Sequence, residues 1–195
     1  MYHYAGNNPV RYIDPDGRIQ ISKTGEYIFF QQTDNNGNPI IETITGNSGN
    51  TIKIIKGYLK ANDGTEINVH YNLSRESSPE DNYDCHGLTF TKGTFWINNP
   101  EIEKLLKGDG YIESDTPKTN DVLIQRNKNG DIIHSAKIVE VDSKGNRVKV
   151  QEAMGAYLFS DENEKKHKTR LHWYTLTPGR DTIYSSINDK VEDVK

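Results

Sequence analysis

Apolar residues along this chain recur in short, often alternating runs broken by Asn, Asp and Gly, a pattern that predicts many short strands joined by tight turns. Residues 19–21, 27–32, 40–45, 52–59 and 66–71 are such runs. Residues 34–38, Asp-Asn-Asn-Gly-Asn, form a loop, and Asn62-Asp63-Gly64 makes a hairpin turn into residues 66–71. Residues 18–75 therefore read as a β-rich front section, too small to fold as a self-sufficient domain. An Asp-, Ser- and Pro-rich link, residues 74–82, separates it from the segment that carries Cys85.

Two segments depart from the strand pattern. Residues 85–91 read as a short helix. In Asn99-Pro100-Glu101 a capping residue precedes a proline at the first helical position and an acid in the first turn. Ile102, Leu105 and Leu106 then share one helical face, and Gly108 ends the element. Residues 122–125, 132–141 and 147–153 form an antiparallel meander, turning at 127–130 and 142–146. Residues 171–176 are a last strand candidate. The central unit spans residues 76–178, and the polar stretch 179–195 is expected to be a poorly ordered tail.

Composition narrows the function classes. The chain has 195 residues, enough for one good core, and only 33% are hydrophobic. A net charge of −4 gives no electrostatic footprint for nucleic acid. The one basic cluster, Lys165-Lys166-His167-Lys168 with Arg170, comes after acidic residues and reads as a solvated loop. No apolar stretch approaches the roughly 20 residues that span a bilayer. The N-terminus lacks the basic start and apolar run of a signal peptide.

Cys85 is the only cysteine, so it forms no internal disulfide and is there for packing or for thiol chemistry. Free cysteines are most often small buried hydrophobes. Here polar residues (Asn82, Tyr83, Asp84) precede it at a helix start, where the positive helix end favours the thiolate. Gly87, two residues on, lets another backbone pass close by. A nucleophilic thiol needs a base and the base an orienter. His134 lies within a strand beside the small Ser135 and Ala136, which leave its ring room. On the next strand, alternation places Glu152 with Val148 and Val150, and Gln151 with Arg147 and Lys149. Gln151, on the more open face, is the favoured orienter, with Glu152 the alternative. His86 points about 100° from Cys85 on a helix and is not its base; it caps, packs or contacts substrate. A zinc site from Cys85, His86 and His134 lacks any paired ligand spacing, so no metal or cofactor is expected.

Two resemblances give these residues a setting. The opening string, Tyr2-His3-Tyr4, then Asn7-Asn8-Pro9, then Asp14-Pro15-Asp16-Gly17, closely resembles the end of the Rhs (YD-repeat) core. That resemblance implies that residues 1–17 are a junction, that Met1 is the cut end of a longer bacterial polypeptide, and that cleavage occurs near Gly17. It also implies a delivered toxin domain behind an Rhs shell, with a cognate immunity protein. Second, Asp84-Cys85-His86-Gly87, Asn120-Asp121-Val122-Leu123-Ile124 and His134-Ser135-Ala136 resemble papain-like cysteine peptidases of the NlpC and CHAP types. His86 stands where those have serine, and Asn120 where they have glycine. This likeness implies an α+β fold, a papain-like core with the nucleophile helix packed on an antiparallel sheet, preceded by the β-hairpin-rich section. It implies amide hydrolysis of a peptidoglycan or protein substrate, with deamidation and transacylation open to the same apparatus. The oxyanion would be held by the Cys85 backbone N–H and a second donor, Tyr83 or Asn82. The competing expectations are a nuclease tip, for which no carboxylate/histidine cluster is visible, and a non-catalytic binding module.

Overall fold

The computed structural model describes residues 29–45, 51–73, 83–145, 147–153 and 169–186. The first sheet is built on β3 (Thr51–Lys60). One edge of β3 is shared end to end by β1 (Phe29–Gln31) and β2 (Ile41–Thr45), and its other edge pairs with β4 (Glu66–Asn72). The short β5 (Trp96–Ile97) completes this sheet on the far side of β4. Between β4 and β5 in sequence comes α1 (Cys85–Thr91), and after β5 comes α2 (Asn99–Gly108). The second sheet holds β6 (Ile112–Glu113), β7 (Val122–Arg126), β8 (Ile132–Val141), β9 (Arg147–Ala153), β10 (Thr169–Thr175) and β11 (Asp181–Ser185). Its order is β10-β9-β8-β7-β11-β6, antiparallel throughout.

The main core lies where these parts meet. Phe29, Leu59, Ile67 and Val69 of the first sheet pack with Ile102 and Leu105 of α2 and with Val122, Ile124 and Tyr184 of the second sheet. Leu123, Ala136, Ile138, Val148, Val150 and Ile183 form a second cluster. Successive residues of β7 thus serve different clusters. That is why residues 122–124 read as a continuous apolar run rather than an alternating one.

Three expectations need correction. The α+β, papain-like class is overturned: the described residues are half strand and only 13% helix, mostly antiparallel β in two sheets with two helices among them. The likeness that suggested it rests on local element order from residue 83 onward, and is blind to the strands in front, which complete a second sheet. The boundary near residue 75 is not a structural one, because β5 pairs with β4 and one core joins both sides. The stretch read as a tail carries β11, which pairs with both β7 and β6. Its core contribution, Ile183 and Tyr184, was too short to register as a strand. Residues 1–17, the strand expected at 19–21 and the link at 74–82 lie outside the described residues. No helix among the described residues is long and apolar enough to cross a membrane.

Candidate active site

Cys85 opens α1, as its polar-to-apolar sequence context suggests. Asp84 is the N-cap, with extended backbone, and its Oδ1 accepts from the Gly87 N–H at 2.6 Å and the Ile97 N–H at 3.3 Å. The cap therefore ties the start of α1 to β5 as well as satisfying a free helix donor. Burial raises the Asp84 carboxyl to about 6, against the lowering pull of His86 and these N–H groups. Hydroxyls of Thr89 and Thr91 donate back to the carbonyls of Cys85 and Gly87, at 2.8 and 2.7 Å. α1 packs on β8 and β9. Gly87 has the role expected of it: a Cβ there would fall on the Phe95 carbonyl oxygen.

The structure brings Cys85 and His134 together. Cys85 is 4% exposed, and His134 of β8 is close enough to lower the proton affinity of its thiol. His134 Nε2 lies 2.8 Å from Glu152 Oε2. Burial pushes the thiol up, but the neighbouring His134 and His86 rings outweigh it and bring Cys85 down to about 5. Burial pushes the other way on His134, where the bonds to Cys85 and Glu152 prevail and lift it to about 9. Between those values the pair is thiolate and imidazolium, the reactive form of a cysteine nucleophile.

Glu152, not Gln151, orients His134. Its other oxygen, Oε1, accepts from Arg170 Nη2 at 2.6 Å and Nε at 3.2 Å. Although burial opposes it, the bonds from His134 and Arg170 hold the Glu152 carboxylate down at about 2. Gln151 pairs with Lys137 on one side and Leu171 on the other, so its side chain leaves the face that Glu152 and His134 share. Under catalysis by the Cys85 thiol, Glu152→Gln is expected to lower turnover on the order of 100-fold, with Gln151→Ala within about twofold of wild type. Steady-state kinetics on the two variants decides between them, and the reverse ranking would return the role to Gln151.

The remaining candidates have other employment. The Tyr83 hydroxyl lies 3.1 Å from Thr169 Oγ1 and its ring packs on Gly93; Asn82 lies outside the described residues. His86 is fully buried, between Ser135 Oγ at 2.8 Å from Nδ1 and Asn99 Oδ1 at 2.9 Å from Nε2. Three residues of the site escaped sequence reasoning. Asn99 read as a helix cap, yet Asn98 holds that position. Ser135 read only as a small neighbour, and Arg170 as part of a solvated basic loop. Among the described residues, no group of three or more His, Cys, Asp and Glu is arranged to hold a metal ion. Comparison of the chain with protein-family models, with curated proteins and with solved structures gives no match.

Proposed function

We propose that this chain is a thiol hydrolase of amide bonds, with Cys85 as nucleophile, His134 as proton carrier and Glu152 as orienter of His134. The observation that carries this reading is the alignment of Cys85 beside His134, whose ring is held through Nε2 by Glu152 at 2.8 Å. In the resting site the proton already sits on His134, so the thiolate attacks a carbonyl carbon directly. The oxyanion accepts from the Cys85 N–H, which has no preceding helical carbonyl to bind. The C–N bond breaks as His134 passes its proton to the leaving nitrogen, and the acyl group stays on sulfur as a thioester. Water then attacks the thioester while giving a proton to His134, and collapse releases the acid and restores the thiolate. The same steps on a side-chain carboxamide release ammonia, so cleavage and deamidation share one apparatus.

Sequence supplies the setting for this proposal. The Rhs-like string at residues 1–17 suits a toxin tip delivered behind a repeat shell, with an immunity protein as partner and peptidoglycan or a target protein as substrate. Purified protein incubated with sacculi and with a panel of proteins, read by mass spectrometry, tests both substrate class and chemistry. Hydrolysis that stops when Cys85 is alkylated supports the reading. If alkylated protein hydrolyses its substrate as fast as untreated protein, the thiol mechanism is wrong.

The ionisation of the pair also sets the pH dependence. Below about 5 the Cys85 thiolate takes up a proton and the nucleophile is lost. Above about 9 His134 loses the proton that the leaving nitrogen needs. A bell-shaped kcat/KM profile with limbs near these values is therefore expected. A single limb near pH 8.5, the ordinary thiol range, would show that the thiol is not activated.

A further inference from the structure

His86 is an unusual buried group, because each of its ring nitrogens faces an atom that needs a proton from it. Asn99 Oδ1, 2.9 Å from Nε2, is a carbonyl oxygen and only accepts, so Nε2 carries a hydrogen. On the other side the direction comes from a chain of hydroxyls. Thr89 gives its hydrogen to the Cys85 carbonyl at 2.8 Å, so its oxygen accepts from Ser135 at 3.1 Å. Ser135 has then spent its only hydrogen, and its oxygen, 2.8 Å from His86 Nδ1, must accept. Nδ1 therefore carries a hydrogen as well. A neutral imidazole has one N–H, and this one needs two.

We propose that His86 is held as an imidazolium and acts as a positioning residue for Cys85, a fixed second cation beside the thiolate. The inference deepens the thiol-hydrolase reading and rests on it for its catalytic meaning. His134 must give its proton away during turnover, whereas both His86 protons are committed to Ser135 and Asn99. The thiolate re-formed when the acyl group leaves thus always has one cation that does not move. The titratable groups near His86 are Asp84 and Cys85 at the start of α1; α2 presents the Asn99 amide and β8 the Ser135 hydroxyl. Burial opposes charge on the ring, but its contacts with Cys85, Asp84 and Asn99 raise its proton affinity above that of an ordinary histidine. Two histidines thus divide the work: His134 moves a proton and His86 supplies charge.

Two measurements without substrate test this. In wild-type protein at neutral pH, nitrogen-15 NMR of the His86 ring is expected to show both nitrogens protonated. In His86→Gln, which keeps a single N–H donor group and removes the charge, the pH midpoint of Cys85 alkylation by iodoacetamide is expected to rise by about one unit, a roughly tenfold slower reaction on the acid limb. A merely structural histidine would leave that midpoint in place. One unprotonated His86 nitrogen at neutral pH, or an unmoved midpoint in folded His86→Gln, overturns the proposal. If the variant does not fold, the wild-type spectrum decides. Because neither readout uses turnover, absence of any amide substrate would defeat the hydrolase reading while leaving the charge state of His86 measured.

Discussion

Cys85→Ala is expected to abolish amide hydrolysis, with kcat falling on the order of 10⁴-fold to 10⁶-fold, while the protein stays folded. The expected loss is large because every covalent step of the proposed mechanism passes through the sulfur. The fold should survive because the exchange removes one buried atom, and Asp84, Thr89 and Thr91 still hold α1 through contacts that do not involve the thiol. His134→Ala is expected to lose activity on a similar scale, since it leaves a buried thiol without its proton acceptor. The double variant should be no worse than either single one, because residues acting as one unit give non-additive losses. Toxicity on expression should track the same order if the chain is a toxin tip. Single-turnover kinetics with a circular-dichroism melt on each variant checks both halves. A folded Cys85→Ala protein that still turned over would exclude the thiol as nucleophile.

How much of this could be read from the chain depended on how local the signal was. The helix start at Cys85 was legible because Asp84 caps it and the apolar run begins there, all within a few residues. The meander of β7, β8 and β9 was legible because Gly-containing turns punctuate it. The orienter was not. Counted back from the turn without interruption, strand pairing puts Gln151 on the face of His134. The register shift between Ile138 and Glu140 absorbs Val139 and gives that face to Glu152. One bulged residue reverses every side chain beyond it, and nothing about Val139 announces a bulge. Arg170 was missed for a related reason: a basic residue next to lysines looks solvated until β10 pairs with β9 and sets Arg170 opposite Glu152. The class of the fold failed at longer range still. Whether the front strands stand apart or join a sheet with β5 is decided by contacts more than twenty residues distant, which periodicity does not carry.

Gly87→Ala should destabilise the protein by on the order of 3 kcal/mol or more, the upper end of what overpacking costs. The residue is helical with no left-handed backbone, so the penalty comes from space alone. The added methyl would land on the Phe95 carbonyl, with Asp84 Oδ1 only 3.1 Å away. Neither neighbour can yield cheaply. The Phe95 N–H is bonded to Thr91 Oγ1 at 3.2 Å, and its ring packs against Phe29 and Tyr71 with centroids 5.1 and 5.9 Å apart. Asp84 is the cap that ties α1 to β5. Gly130→Ala is the matching control. Its φ of +87° costs about 1 to 2 kcal/mol in backbone strain, but no atom lies within 4 Å of the new methyl. Urea unfolding of the two variants should therefore rank Gly87→Ala well below Gly130→Ala. Turnover should separate them further, since moving Phe95 shifts the turn that carries Cys85 and moving the loop at Gly130 does not. Equal stability of the two would mean that the close approach of α1 to the Phe95 backbone is not what fixes Cys85 in place.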